Sequence, residues 1–496
     1  IKIGDTTVQF VTQPFTSDID HTGALSEAII TLPDAVSPRS TAELQIAYEG
    51  VITLDQTRLT RIGTPDELAK SADWDSISPE FTAVRGVGYV AWYPIATEVA
   101  NLSEGNGLFD VVARWKSREA GSRAHYKLAT IGRDSGPPLR ILLNQVGCSA
   151  STDQAGDLKD KGVDCTFEPL GSAVPTFVIG SYGLVDRSGM TVFNLPSHAL
   201  AAEVYAGAAE KVSPLITGWF GHTRRKALIV DLPDASDAPF ESGPLLLSPL
   251  SESEFASGLS AAHQLAHACV FSSRPWVEEG LAHFAQALYV EQQKGRQAAI
   301  DYVSTHRPAL IKMEQTSARS AANEADGSLV NSNDDEIYRS KAMSVWWMLR
   351  DMIGDSALQK GIAAYRPEQD KEPSYLPRLI AAQTQRDLEW FFDDWVYRDR
   401  GLPDFKVESA YSRKSMSNSF MLTVTVENLG SAGAEVPIVV KIGGGEAAKR
   451  LEIRAKSKAT IRIETPGIPQ EITVNDGSVP ESDTTNNTVK VGPPQN

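Results

Sequence analysis

From Ser257 to Arg400 the apolar residues recur at helical spacing, as in "VEEGLAHFAQALYVEQQKGRQAAIDYV" and "YRSKAMSVWWMLRDMIG". On both sides of that block the pattern is a different one. Before it run short β-branched and aromatic stretches such as "VGYVAWYPIA", "LFDVVARWKS" and "TFVIGSYGLV", with polar loops between them. After Gly401-Leu402-Pro403 the alternation is strict, and "FMLTVTVEN" puts Phe420, Leu422, Val424 and Val426 on one face. A chain of 496 residues is too long for one core. The three patterns therefore predict a multi-domain α+β protein. An all-β domain occupies 1–187, an α/β domain with a mainly helical second half occupies 188–400, and an immunoglobulin-like β-sandwich occupies 401–496.

Within the middle segment, "SHALAAEVYAGAAEKVSPLITGWFG" reads as a helix with Ser197 as its N-cap. "KALIVDLP" reads as a buried strand. "SGPLLLSPL" reads as another short strand, and its prolines favour an edge position.

The formal net charge of −16 argues against nucleic acid and anionic membranes as partners, since both would repel the chain. No apolar run approaches the roughly 18 residues that span a bilayer. The opening "IKIGDTTVQF" reads as a strand and has no basic, apolar leader, so the expectation is a soluble or mature chain without insertion in a membrane.

Three cysteines are present. Cys148 and Cys165 flank a polar, Gly- and Asp-rich loop. A disulfide between them would contribute about 3 kcal/mol; two free thiols in a reducing cell is the alternative. Cys269 lies on a different helix face from the nearby histidines and is expected to be a small buried side chain.

The chemistry concentrates in "SAAHQLAHACVFSSRPWVEEGLAHF". His263 and His267 are four apart, so on a helix both rings can face one ion. Catalytic zinc commonly takes two histidines, one carboxylate and a water. Arg274-Pro275 signals a loop followed by a new helix, with Glu278 and Glu279 in its first turn, where the helix dipole favours carboxylates. One of these can face back toward the histidine pair. His283, one turn beyond Glu279, can hydrogen-bond a ligand or be a ligand itself.

These residues resemble the gluzincins, the clan of zinc metallopeptidases that includes thermolysin and the aminopeptidase N family. Their pattern is His-Glu-x-x-His followed by a helix with Trp-x-Asn-Glu-Gly-x-Ala. "HQLAH" matches except at Gln264, and "WVEEGLA" matches with Glu279 in the ligand position and Glu278 where asparagine is usual. The resemblance implies a thermolysin-like catalytic domain holding one zinc ion on His263, His267 and Glu279. It also implies peptide or protein as substrate or ligand, and a periplasmic or secreted location without the leader, to which the expected disulfide adds. "YRSKAMSVWWMLRDMIG" is similar to the family's Tyr-x-Lys-Gly helix, which gives Tyr338 the role of oxyanion stabiliser, although Ala342 stands where glycine is usual. "LEWFFDDWVYRDRGLPDF" resembles the end of the catalytic domain. The family's Gly-Ala-Met-Glu-Asn motif is missing. In its place stands "PFESGPLLLSPL", whose Glu241 and Gly243 are the candidate substrate contacts, so exopeptidase and endopeptidase specificity both stay open.

Gln264 stands at the position of the general base. An amide can hold a water by a hydrogen bond but accepts no proton at neutral pH. Loss of a general base typically costs about 10²- to 10⁴-fold in rate. Three accounts fit: a chain that kept fold and metal but lost most activity, a glutamate-to-glutamine replacement in an active peptidase, or another base, with Glu278 the only carboxylate close by in sequence. A peptide- or protein-binding module without catalysis is the reading from a different class.

Overall fold

The structure, a computed structural model, describes residues 1–15, 25–37, 40, 42–48, 76–78, 81–84, 93–94, 123–129, 139–144, 149–151, 162–167, 175–187, 189–237, 239–319, 328–332, 335–415 and 419–493. It is a mixed α/β protein with several sheets. It divides into two compact units, Ile1–Ala206 with Arg225–Glu252, and Gly207–Arg224 with Ser253–Asn496.

The first unit is built on stacked sheets. Its centre is an antiparallel sheet of Ser76–Ile77, Phe81–Val84, Phe177–Gly180 and Arg140–Leu143, in that spatial order. Alternate residues of these strands serve two cores, as the period of two requires. Ala83 and Val178 join Phe193, Val230, Leu245 and Leu247 on one side. Val84, Leu143 and Phe177 join Cys165 and Phe167 on the other. Cys165 lies on the strand Gly162–Phe167 of a three-stranded sheet and is disulfide-bonded. Its expected partner, Cys148, lies outside the described residues. At the chain start the expected single strand is a tight hairpin, Lys2–Ile3 against Thr6–Thr7, because Gly4 takes φ 55 and turns the backbone.

The other sheet of this unit is mixed. Its strands are β1 (Gly183–Arg187), β2 (Met190–Asn194), β3 (Ala227–Asp231), β4 (Phe240–Ser242) and β5 (Leu245–Ser248), in the order β1-β2-β3-β5-β4. β2, β3 and β5 are parallel, and β2 is buried along its whole length. β5 is an interior strand, not the expected edge. Pro244 and Pro249 flank it without entering it, so neither removes a ladder donor, and the three-residue β4 takes the edge. The chain crosses from β2 to β3 through α1 (Ala199–Phe220). Ser197 is not the N-cap of α1. Pro196 starts a 3-10 turn over Pro196–His198 that leads straight into the helix, which places Ser197 inside the turn.

In the second unit, the segment from Ser253 opens with two helices in succession, α2 (Glu254–Cys269) and α3 (Pro275–Lys294). Further helices follow, including Met343–Ile353, which is preceded by a π-helical turn at Tyr338–Ala342. Trp276 of α3 stacks on Trp346 with ring centroids 5.3 Å apart, and Trp276, Trp346 and Trp347 are fully buried. Gly280 lets the two helices close up: a Cβ there would lie 2.7 Å from Cβ of Ala342.

The unit ends in two antiparallel sheets. One orders β6 (Phe405–Lys414), β7 (Phe420–Asn428) and β10 (Lys458–Thr465). The other orders β9 (Gly445–Ile453), β8 (Ala434–Ile442), β11 (Pro469–Val474) and β12 (Thr488–Lys490). Leu422, Val424 and Val426 of β7 are buried, as are Ile438 and Val440 of β8, which matches the alternation in the sequence. No described helix is long and apolar enough to cross a membrane.

Candidate metal centre

The site grows from the α2–turn–α3 segment. Ser253 caps α2, its hydroxyl oxygen accepting from the N–H of Ala256 at 3.3 Å, and Glu254 follows in the first turn. The small residues of "GLSAAHQLAHAC" let α2 pack closely, and every residue from 261 to 269 is buried. His263 and His267 therefore project from a helix with little solvent around it. Their Nε2 atoms lie 3.1 Å apart.

Val270 ends α2, its N–H donating to the carbonyl of Ala266 at 2.8 Å. Arg274 leads into α3, with Pro275 at the first helical position, where its missing N–H costs nothing. Glu278 lies in the first turn, and Glu279, just beyond it, faces the histidines. Its Oε2 lies 3.5 Å from Nε2 of His267 and 3.9 Å from Nε2 of His263. The ligand atoms of His263, His267 and Glu279 all lie within 4.8 Å of one another, so this group could hold a metal ion. Two imidazole nitrogens and a carboxylate oxygen suit a divalent cation of intermediate softness. Two neutral rings meeting at Nε2 share one proton between their lone pairs; a cation would use both lone pairs at once.

The neighbours hold these rings in place. Glu278, almost wholly buried, has Oε1 4.0 Å from Nδ1 of His267, on the side of the ring away from Glu279. Its charge favours a proton on Nδ1, which leaves the Nε2 lone pair for a metal. The ring of His283 packs edge-on against His263 with centroids 4.6 Å apart. Gln286, which the sequence reading passed over, fixes that ring. Its Nε2 donates to the carbonyl of Leu259 at 3.4 Å, so its Oε1 faces Nδ1 of His283 at 3.0 Å and accepts from the Tyr302 hydroxyl at 3.2 Å. Burial pushes the Tyr302 phenol up to about 12, which keeps it a donor. Nδ1 of His283 thus carries the proton. The only signal for Gln286 in the sequence is its place one turn after His283.

Gln264 is 1% exposed, beside the histidines on α2. Tyr338 is buried at the start of the π-helical turn, and its hydroxyl donates to the carbonyl of Ser332. Glu241 and Gly243 belong to the first unit. Glu241 is half-buried on β4 opposite Leu246, and Gly243 turns the chain into β5 with φ 58. Cys269 is a free, buried thiol, pushed up to about 12 by burial.

No protein-family model matches the chain, and no curated protein matches it.

Proposed function

We propose that this chain is a zinc protein of the gluzincin type, an aminopeptidase-like metallopeptidase whose hydrolysis is weakened or abolished by Gln264. Segment 188–400 would be the thermolysin-like domain and segment 401–496 an immunoglobulin-like sandwich. The observation that carries the reading is the convergence of Nε2 of His263, Nε2 of His267 and Oε2 of Glu279 from two successive helices. The order His-x-x-x-His…Glu is also the donor order of the family the sequence resembles.

When bound, zinc supplies Lewis acidity and lowers the pKa of a coordinated water. The chain's own residues do the rest. His263, His267 and Glu279 hold the ion, Glu278 and His283 set the ring orientations, and Gln264 orients a water without taking its proton. Tyr338 serves as the donor to a developing oxyanion if its hydroxyl leaves the Ser332 carbonyl.

Two measurements test this. Purified protein should contain one equivalent of zinc by elemental analysis. Gln264→Glu should then raise hydrolysis of a peptide library by about 10²-fold or more at unchanged zinc content, since the two side chains have nearly the same size. Zinc-free protein that takes up no zinc would remove the reading. A zinc-loaded Gln264→Glu variant that hydrolyses nothing favours the second reading, a peptide- or protein-binding module without catalysis, to which the amide at the base position already points.

A further inference from the structure

Three buried polar side chains, Ser272, Tyr365 and Asp370, meet the half-buried Arg274 at the turn that joins α2 to α3. Asp370, whose carboxylate is fully buried, receives the guanidinium of Arg274 in two-pronged fashion: Nε lies 2.8 Å from both carboxylate oxygens, and Nη2 lies 2.8 Å from Oδ1. The hydroxyl of Tyr365 donates to Oδ2 of Asp370 at 2.8 Å. The same hydroxyl lies 2.8 Å from Oγ of Ser272, which in turn accepts the N–H of Arg274 at 3.0 Å. Ser272 and Tyr365 are buried as well.

The network grips one particular piece of backbone. The carbonyl of Arg274 accepts the N–H of Val277 at 3.0 Å and that of Glu278 at 3.1 Å, and so founds the first turn of α3. Arg274 makes no side-chain capping bond there, since a guanidinium has only donors and cannot accept a helix N–H; its side chain goes to Asp370 instead. Ser272 sits in the middle of the turn, between the end of α2 and the start of α3. The turn is thus held at two points, Ser272 and Arg274, by residues 365 and 370, far along the chain. Glu279 is a little over one helical turn from Arg274, about 7 Å along the axis. A shift or rotation of the founding carbonyl moves the Glu279 carboxylate with it.

A buried ion pair costs desolvation that an apolar cluster would avoid, so mere stability is a weak reason for this one. A planar guanidinium held by both carboxylate oxygens fixes orientation as well as distance. We infer that Asp370, acting through Arg274 and Tyr365, is a positioning residue that sets Glu279 against the histidine pair and thereby tunes how tightly the centre binds its metal. The inference rests on the zinc reading above.

The test compares the full chain with Asp370→Asn and Tyr365→Phe. The first leaves one good acceptor and removes the charge; the second removes one hydroxyl from the network and leaves Asp370 and Arg274 paired. Zinc affinity is read by chelator competition, the thermal midpoint is measured with and without zinc, and the d–d spectrum is recorded after loading with cobalt(II). Asp370→Asn should bind zinc about 10- to 100-fold more weakly, and Tyr365→Phe should weaken it by a smaller factor, each with an altered cobalt spectrum. The zinc-loaded form should lose more thermal stability than the zinc-free form. Should Asp370→Asn fail to fold, Tyr365→Phe carries the comparison. Equal losses in both forms, with zinc affinity within twofold of the parent, would reduce the network to a structural brace and overturn the inference alone. A parent chain that binds no zinc overturns it together with the metal reading.

Discussion

Nε2 of His263 and Nε2 of His267 face each other at 3.1 Å inside a buried helix pair. Both nitrogens would face a common ion. The arrangement is stable with a shared proton or with a common cation.

Removal of the metal is predicted to lower stability. With zinc in excess of its dissociation constant by about 1,000-fold, mass action contributes about 4 kcal/mol. A chelator should lower the thermal midpoint of the wild-type chain. His267→Ala should show the lower midpoint from the outset and give no further response to chelator.

Glu278 lies 4.0 Å from Nδ1 of His267 and is almost completely buried. Glu278→Gln keeps the volume and removes the charge. Zinc binding by isothermal titration should weaken by about 10-fold, while the far-ultraviolet circular dichroism stays that of the parent. Unchanged affinity would mean that this carboxylate does not orient the ring.

Gly280 is fixed by space. A methyl there would lie 2.7 Å from Cβ of Ala342 and 2.8 Å from Nε1 of Trp346. Gly280→Ala should cost about 1–3 kcal/mol in urea unfolding despite the better helix propensity of alanine. A stabilised variant would contradict the close approach of the two helices.

Glu481 is fully buried, and burial pushes its carboxyl up to about 7, against hydrogen bonds from Asn475, Asn487 and the Phe405 N–H that pull it down. The folded state therefore holds its proton more tightly than the unfolded chain. Its contribution is fully present below about pH 4.5 and is lost as the pH rises to about 7, a span on the order of 3 kcal/mol. Glu481→Gln should flatten that part of the stability profile, measured by denaturant midpoints across the range.

Cys165 is disulfide-bonded and Cys269 is free. Thiol titration of the denatured, unreduced chain should find one reactive cysteine. Three would remove the bridge and, with it, one support for an extracytoplasmic location.

Much of the site could be read locally. The His-x-x-x-His spacing, the Arg274-Pro275 break and the paired glutamates each act within one helical turn, and local backbone geometry brings their side chains together. The alternation in β7 gave the buried face for the same reason. What stayed hidden depends on distant partners. Arg274 and Asp370 are 96 residues apart, and nothing in either neighbourhood announces the other. The interior place of β5 follows from β4 taking the edge, which is a matter of topology and not of propensity. The π-helical turn at Tyr338–Ala342 lies within an ordinary helical pattern, and its one-residue slip leaves no periodic trace.

The three donor atoms come from helices that follow one another directly, joined by a turn of a few residues. In folding, this makes the centre a place of low contact order. A nascent helical hairpin could gather His263, His267 and Glu279 before the sheets on either side close, because only a short loop must be ordered first. Metal present during refolding would then act on the rate of folding as well as on the final equilibrium, serving as a nucleus around which later packing is laid down.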